Sequence, residues 1–232
     1  MKKLLMISLL FFSLSSYAQR FDIVERNPNY VKQKDLVDFE FIDEHFDLSG
    51  YEKIVAFQGC TTNSGNHTLA NLFNSYWKTA NSLGANAFTV DEVKNSSDTI
   101  YVRISAYYLN EEALEKNFKL YPRNMVYVLG DLLLLRGKSR KLTFNGLDRV
   151  LAPHEYIAYQ NKVGEYVKVE NNGFLGGKVD VFGQPGRLPT FLSLTGVEVN
   201  ATTTAKLSFK AGGIYPVDLN FGQFLIRIFN RQ

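Results

Sequence analysis

Residues 69–87, LANLFNSYWKTANSLGANA, decide how this chain is read. Leu69, Leu72, Phe73, Tyr76, Trp77, Ala80 and Leu83 recur every three or four positions, so they share one face of a helix. Asn66 or Thr68 can cap its start, and Gly84 suits the left-handed position just past its end. An apolar stripe of this kind needs a partner surface, and the flanking sequence supplies one. Glu52–Gln58 (EKIVAFQ) precedes the helix as a strand. Asn86–Val93 and Thr99–Leu109 follow it as an antiparallel pair around Lys94–Asp98, with Ile100, Val102, Ile104, Ala106 and Tyr108 alternating onto one face. The order is strand, helix, strand, strand. Upstream, residues 38–42 alternate as a short strand and residues 19–37 read as a loose polar segment. Downstream, Asn110 can cap a short helix running to about Phe118, with Glu early and Lys late as the helix dipole favours, before Pro122 breaks the chain.

Past residue 120 the pattern changes. Strand signals recur over Met125–Arg136, Lys141–Phe144, Arg149–Leu151, Glu155–Gln160, Tyr166–Glu170, Lys178–Phe182, Thr190–Val199, Ala205–Lys210, Ile214–Asn220 and Phe224–Phe229. Turn chemistry divides them at Asn145-Gly146, Asn171-Asn172-Gly173, Gln184-Pro185-Gly186 and Gly212-Gly213. The expected fold class is α+β: a βαββ domain over residues 19–120, then an all-β sandwich or small barrel over 121–232.

The first eighteen residues have the three parts of a secretory signal peptide. Lys2 and Lys3 lead, Leu4–Leu14 is apolar, and Ser16-Tyr17-Ala18 sets small residues before Gln19. The apolar run is shorter than the roughly 20 residues a bilayer span needs. The chain is therefore expected to be exported, to the periplasm, the outer membrane surface or the medium. The lysine-led start and Ala-Gln junction resemble bacterial export signals, those of Bacteroidota in particular. No cysteine follows the apolar run, which argues against a lipid anchor at that point. Loss of Lys2 and Lys3 leaves 24 basic against 23 acidic residues, so the net charge of +3 falls to +1 and nucleic acid is not an expected partner. Cys60 is the single cysteine, so no internal disulfide can form and packing alone must hold the fold. No later stretch is long and apolar enough for a transmembrane helix.

Few residues carry recognisable chemistry. Gln58-Gly59-Cys60 closes an apolar strand, as the nucleophile does in caspase-like proteases, but Thr61-Thr62 follows, and the upstream histidine, His45, lies only 15 positions away. His67 lies near Cys60 at the helix start, and together they are the candidates for a thiol or redox centre. Asp43, His45 and Asp47 would share a face if that stretch were extended, and are the candidates for a cation site. The competing reading treats the six carboxylates of residues 35–47 as a solvated edge strand. Tyr101 and Tyr107 fall on the face opposite the apolar one and are the candidates for stacking against a glycan. His154, after Pro153, reads as a surface residue. No phosphate-binding glycine loop, nucleophile elbow or HExxH motif is present, and no cofactor is expected.

Residues 54–109, with the phrase Leu83-Gly84-Ala85-Asn86-Ala87 and an Ala-Tyr pair ending the last strand, resemble small exported bacterial βαββ domains of the Rcs-pathway envelope lipoprotein type. The resemblance implies the βαββ topology. It does not carry sensor function, because those proteins use disulfides and a lipid-anchoring cysteine that this chain lacks. The expected function is a cell-envelope binding or assembly module without catalytic activity, with an envelope protein or a glycan as partner. The alternatives are a thiol-dependent protein centred on Cys60 and His67, and a metal-responsive sensor using Asp43, His45 and Asp47.

Overall fold

A computed structural model describes residues 21–32, 36–62, 68–96, 99–132, 138–171, 176–194 and 213–232. The residues of the signal sequence, His67, the strand expected over 205–210 and residues 195–199 lie outside that set. The class is α+β, with strands outweighing helices.

The first sheet joins β1 (Phe21–Arg26), β3 (Lys53–Thr62), β5 (Thr99–Tyr107), β4 (Ala87–Asn95) and β2 (Glu40–Phe41), in that order. All neighbours are antiparallel except the β2–β4 pair. Helix α1 (Leu69–Leu83) lies between β3 and β4 in the chain. Its cap is Thr68, whose hydroxyl accepts from Asn71 N at 3.2 Å, and Gly84 turns out of it at φ 90°. Phe57, Leu72, Phe73, Tyr76, Phe88, Val102 and Ile104 form the dry layer between helix and sheet. Helix α2 (Glu111–Leu120), capped by Asn110, crosses to the other face of the same sheet, where Ile42, Ala87, Leu109 and Ala113 make a smaller cluster.

Two departures concern this sheet. Residues 21–26 are not a loose segment but an edge strand, antiparallel to β3 from Phe21–Gly59 to Arg26–Val55. The signal is faint because most of β1 faces water and only Phe21 stacks inward, on Phe57 at 5.4 Å. The strand expected to stop at Gln58 runs on through Thr62, so Cys60 lies within β3 rather than in a loop beyond it.

The second half holds two packed sheets. One joins β11 (Lys178–Phe182), β10 (Tyr166–Asn171), β7 (Arg140–Phe144) and β8 (Leu147–Leu151), all antiparallel. The other joins β13 (Tyr215–Val217), β12 (Thr190–Ser193), β6 (Met125–Leu129), β9 (Glu155–Gln160) and β14 (Asn230–Arg231). Asn145-Gly146 turns the β7–β8 hairpin with φ of 50° and 79°, the left-handed pair a two-residue turn demands. Val126, Val128, Leu142, Val167, Val169 and Leu192 fill the space between the sheets.

This half is not all-β. The strands expected over 214–220 and 224–229 are replaced by the short β13 and by helix α3 (Leu219–Ile228). Phe221, Phe224, Leu225 and Ile228 recur at helical spacing and are all buried, and the Asp218 carboxylate caps the helix from Asn220 N and Phe221 N. Phe224 lies 5.1 Å from Phe73 of α1, while Gly222 lies against Phe191 of β12. Helix α3 therefore fills the space between the first sheet and the β6–β12 sheet.

Candidate functional site

Alternation along β5 builds an open concave surface on the first sheet. Ile100, Val102, Ile104 and Ala106 point to the helices and are buried. Tyr101 and Arg103 must then point outward. Antiparallel register sets Cys60 and Lys94 beside Tyr101, and Gln58 and Glu92 beside Arg103. Gln58, Glu92, Lys94, Tyr101, Val102 and Arg103 line a shallow depression of about 180 Å³. Tyr101 is 39 % exposed within it. Lys94 pairs with Glu92 at 2.7 Å, and Arg103 lies 3.9 Å from Glu25, which also holds Lys53 at 2.6 Å. Each cation thus has a carboxylate neighbour, Lys53 and Arg103 sharing Glu25, and the site offers an aromatic face ringed by hydrogen-bonding groups. That chemistry suits a neutral ligand with one apolar and one polar face better than an anion.

Tyr107 does not join it. The far end of β5 is roofed by α2 and residues 43–51, and Tyr107 packs there against Ile42, Ala87 and Ala113. The two tyrosines share a sheet face, but only Tyr101 is open.

Cys60 is buried, with 7 % of its surface exposed, inside β3, the longest strand among the described residues. His67 lies outside the described residues, so the Cys60–His67 grouping has no described geometry. Asp43, His45 and Asp47 are not extended: residues 43–50 form turns. Asp43 is buried and bonds within its own turn, accepting from His45 N at 3.0 Å and contacting His45 Nδ1 at 2.9 Å. Asp47 instead accepts from Ser49 N at 2.9 Å, and this backbone bond holds its carboxyl below the usual range. Among the described residues no group of three His, Cys, Asp or Glu is placed to hold a metal ion. Nor is the acidic stretch a wholly solvated edge, since Asp43 and most of Glu40 are covered.

Two features escape a reading by sequence. Tyr166 is 59 % exposed and lies 4.8 Å from Phe182 on the outer face of the β7–β10 sheet. The β10–β11 register sets Tyr166 opposite Phe182. His154 is half-buried rather than fully exposed: it adopts a left-handed conformation (φ 57°), packs edge-on to Phe229 at 4.9 Å, and burial lowers its pKa.

The fold and this surface define an α+β protein with an open aromatic sheet face. No protein-family model, curated protein or solved structure matches the chain. Among the described residues no helix is long and apolar enough to cross a membrane.

Proposed function

We propose that this protein is an exported binding or assembly module of the bacterial cell envelope and that it performs no catalysis. The signal-like first eighteen residues support export, and the βαββ order of residues 54–109 agrees with small exported envelope domains. The observation that carries the binding role is the Tyr101 depression. An aromatic ring is left open on the sheet, with an amide, a guanidinium and a carboxylate around it and its charges already paired. A glycan is the partner class this favours: the C–H face of a sugar ring stacks on Tyr101 while its hydroxyls bond Gln58, Arg103 and Glu92.

Titration of the full chain with neutral glucose and N-acetylglucosamine oligomers, followed by amide NMR shifts, tests this reading. The expected result is a set of shifts confined to residues near 58, 92–94 and 101–103, lost in Tyr101→Ala. Absence of such shifts at millimolar sugar, together with unchanged envelope association of Tyr101→Ala, would falsify it. A protein partner is favoured by a separate feature. Strand β1 is an edge of the first sheet and exposes Ile23 and Val24, a surface to which another strand can add.

A further inference from the structure

Strand β2 is two residues long, too short to hold its place by ladder bonds alone. On one side Glu40 N and Ile42 N donate to Asn86 O and Phe88 O, each at 2.8 Å. On the other side, side chains from distant elements take over. Phe41 N donates to Asn220 Oδ1 at 3.0 Å. Phe41 O accepts from Asn117 Nδ2 at 2.7 Å and from the Tyr121 hydroxyl. Asn220 sits in the first turn of α3, so one amide side chain fastens that helix to the first sheet.

The Glu40 carboxyl lies at this fastening. It hydrogen-bonds Asn220, while its Oε2 is buried with no partner. The groups facing it are Asp38 from the segment before β2, Asp218 and Asn220 from the start of α3, and Tyr121 from the end of α2. All are acidic or neutral. Arg227, the cation of α3, is bound to Glu44 at 2.9 Å and lies over the Phe41 ring at 5.2 Å. A charge on Glu40 would strengthen the Asn220 bond but meet two like charges and poor solvation, and burial outweighs that bond, so a proton removes the larger cost.

We propose that a proton on Glu40 is the latch that fastens the C-terminal helix to the first sheet, so that the joint between the two halves is tight in mild acid and loosens in mild base. Burial, with Asp38 and Asp218 nearby, pushes this carboxyl up to about 7, which sets the range in which the latch works. The groups that surround it come from residues almost 180 positions apart, so releasing it acts on the whole molecule and not on one loop.

Amide hydrogen exchange of residues 221–225 in the full chain tests this, between about pH 5.5 and pH 8.5, with each rate corrected for intrinsic chemistry. The opening equilibrium of the wild type should rise about tenfold or more with a midpoint near neutrality. Glu40→Gln should stay closed across the range. Asp218→Asn, which keeps a capping side chain but removes one like charge, should move the midpoint to lower pH. A pH-independent opening in the wild type overturns the proposal, as does the same rise in Glu40→Gln. Should Glu40→Gln not fold, the Asp218→Asn midpoint decides, and an unmoved midpoint overturns it.

Discussion

At Gly222 the absence of a single carbon sets how close two layers can come. A Cβ there would clash with the Phe191 ring, which is itself stacked on Tyr127 at 4.7 Å. Alanine is the better helix former by about 1 kcal/mol, but overpacking a rigid core costs about 1–3 kcal/mol. The clash should win. Gly222→Ala is expected to lower the urea midpoint without changing the slope, and a stabilised variant would show that α3 does not seat as described. Cys60 makes a second prediction at this scale. Strand burial should make its thiol react with a small alkylating agent at least about tenfold more slowly in the native protein than in urea, because access is limited by opening. A native rate equal to or above that of a model thiol would restore the thiol-dependent alternative.

Among the elements, α1 was readable and α3 was not, and the reason is chemical. Helix α1 announces itself through Thr68, Gly84 and seven apolar residues at helical spacing. In α3 the run Phe224-Leu-Ile-Arg-Ile-Phe is dominated by the β-favouring Phe and Ile, and only burial of Phe221, Phe224, Leu225 and Ile228 on one side reveals the period. Tertiary contact with Phe73, Phe88 and Tyr76 outweighs local preference there. Strand β1 was missed for the opposite reason, since an exposed edge carries little apolar signal. Of the candidate site, Tyr101 was legible from alternation alone. Its neighbours Gln58 and Glu92 were not, because a register shift between Val90 and Glu92 decides which β4 residue meets Arg103. The importance of α3 has a direct test. Phe224→Ala removes a ring that packs on Phe73 and Tyr76 of α1 and on Phe88 of β4, and should destabilise the protein by about 3–5 kcal/mol. Loss should appear in a single cooperative transition, since the helix joins both halves. Two separated transitions would mean that the halves hold together without it.

For the whole molecule, two half-buried titratable groups pull stability in opposite directions with pH. Glu40 has a folded pKa of about 7 against 4.5 in the unfolded chain. Between those values the unfolded state has released its proton and the folded state has not. Glu40 therefore contributes most below its unfolded pKa, and its contribution is lost as pH rises towards 7. At about 1.4 kcal/mol per unit the loss is roughly 2–3 kcal/mol, allowing for some solvent contact. His154 is the reverse case. Burial lowers its pKa below 6.5, opposed in part by Asp131, so its contribution is complete above that value and is lost as pH falls through the folded pKa. As pH rises between about 4.5 and 6.5 the two oppose each other, Glu40 losing stability while His154 gains it, and above 6.5 only the Glu40 loss continues. Urea melts from about pH 4.5 to pH 8.5 should show this as a fall towards neutrality relative to Glu40→Gln. In Glu40→Gln, with the His154 contribution left alone, stability should rise with pH up to about 6.5 and then level off. In a His154→Asn variant, which tolerates the left-handed backbone at φ 57°, the part of the acid loss due to His154 should vanish while the fall towards neutrality persists. If Glu40→Gln leaves the neutral fall in place, another group causes it and the joint between the halves is not the pH-sensitive element of this fold.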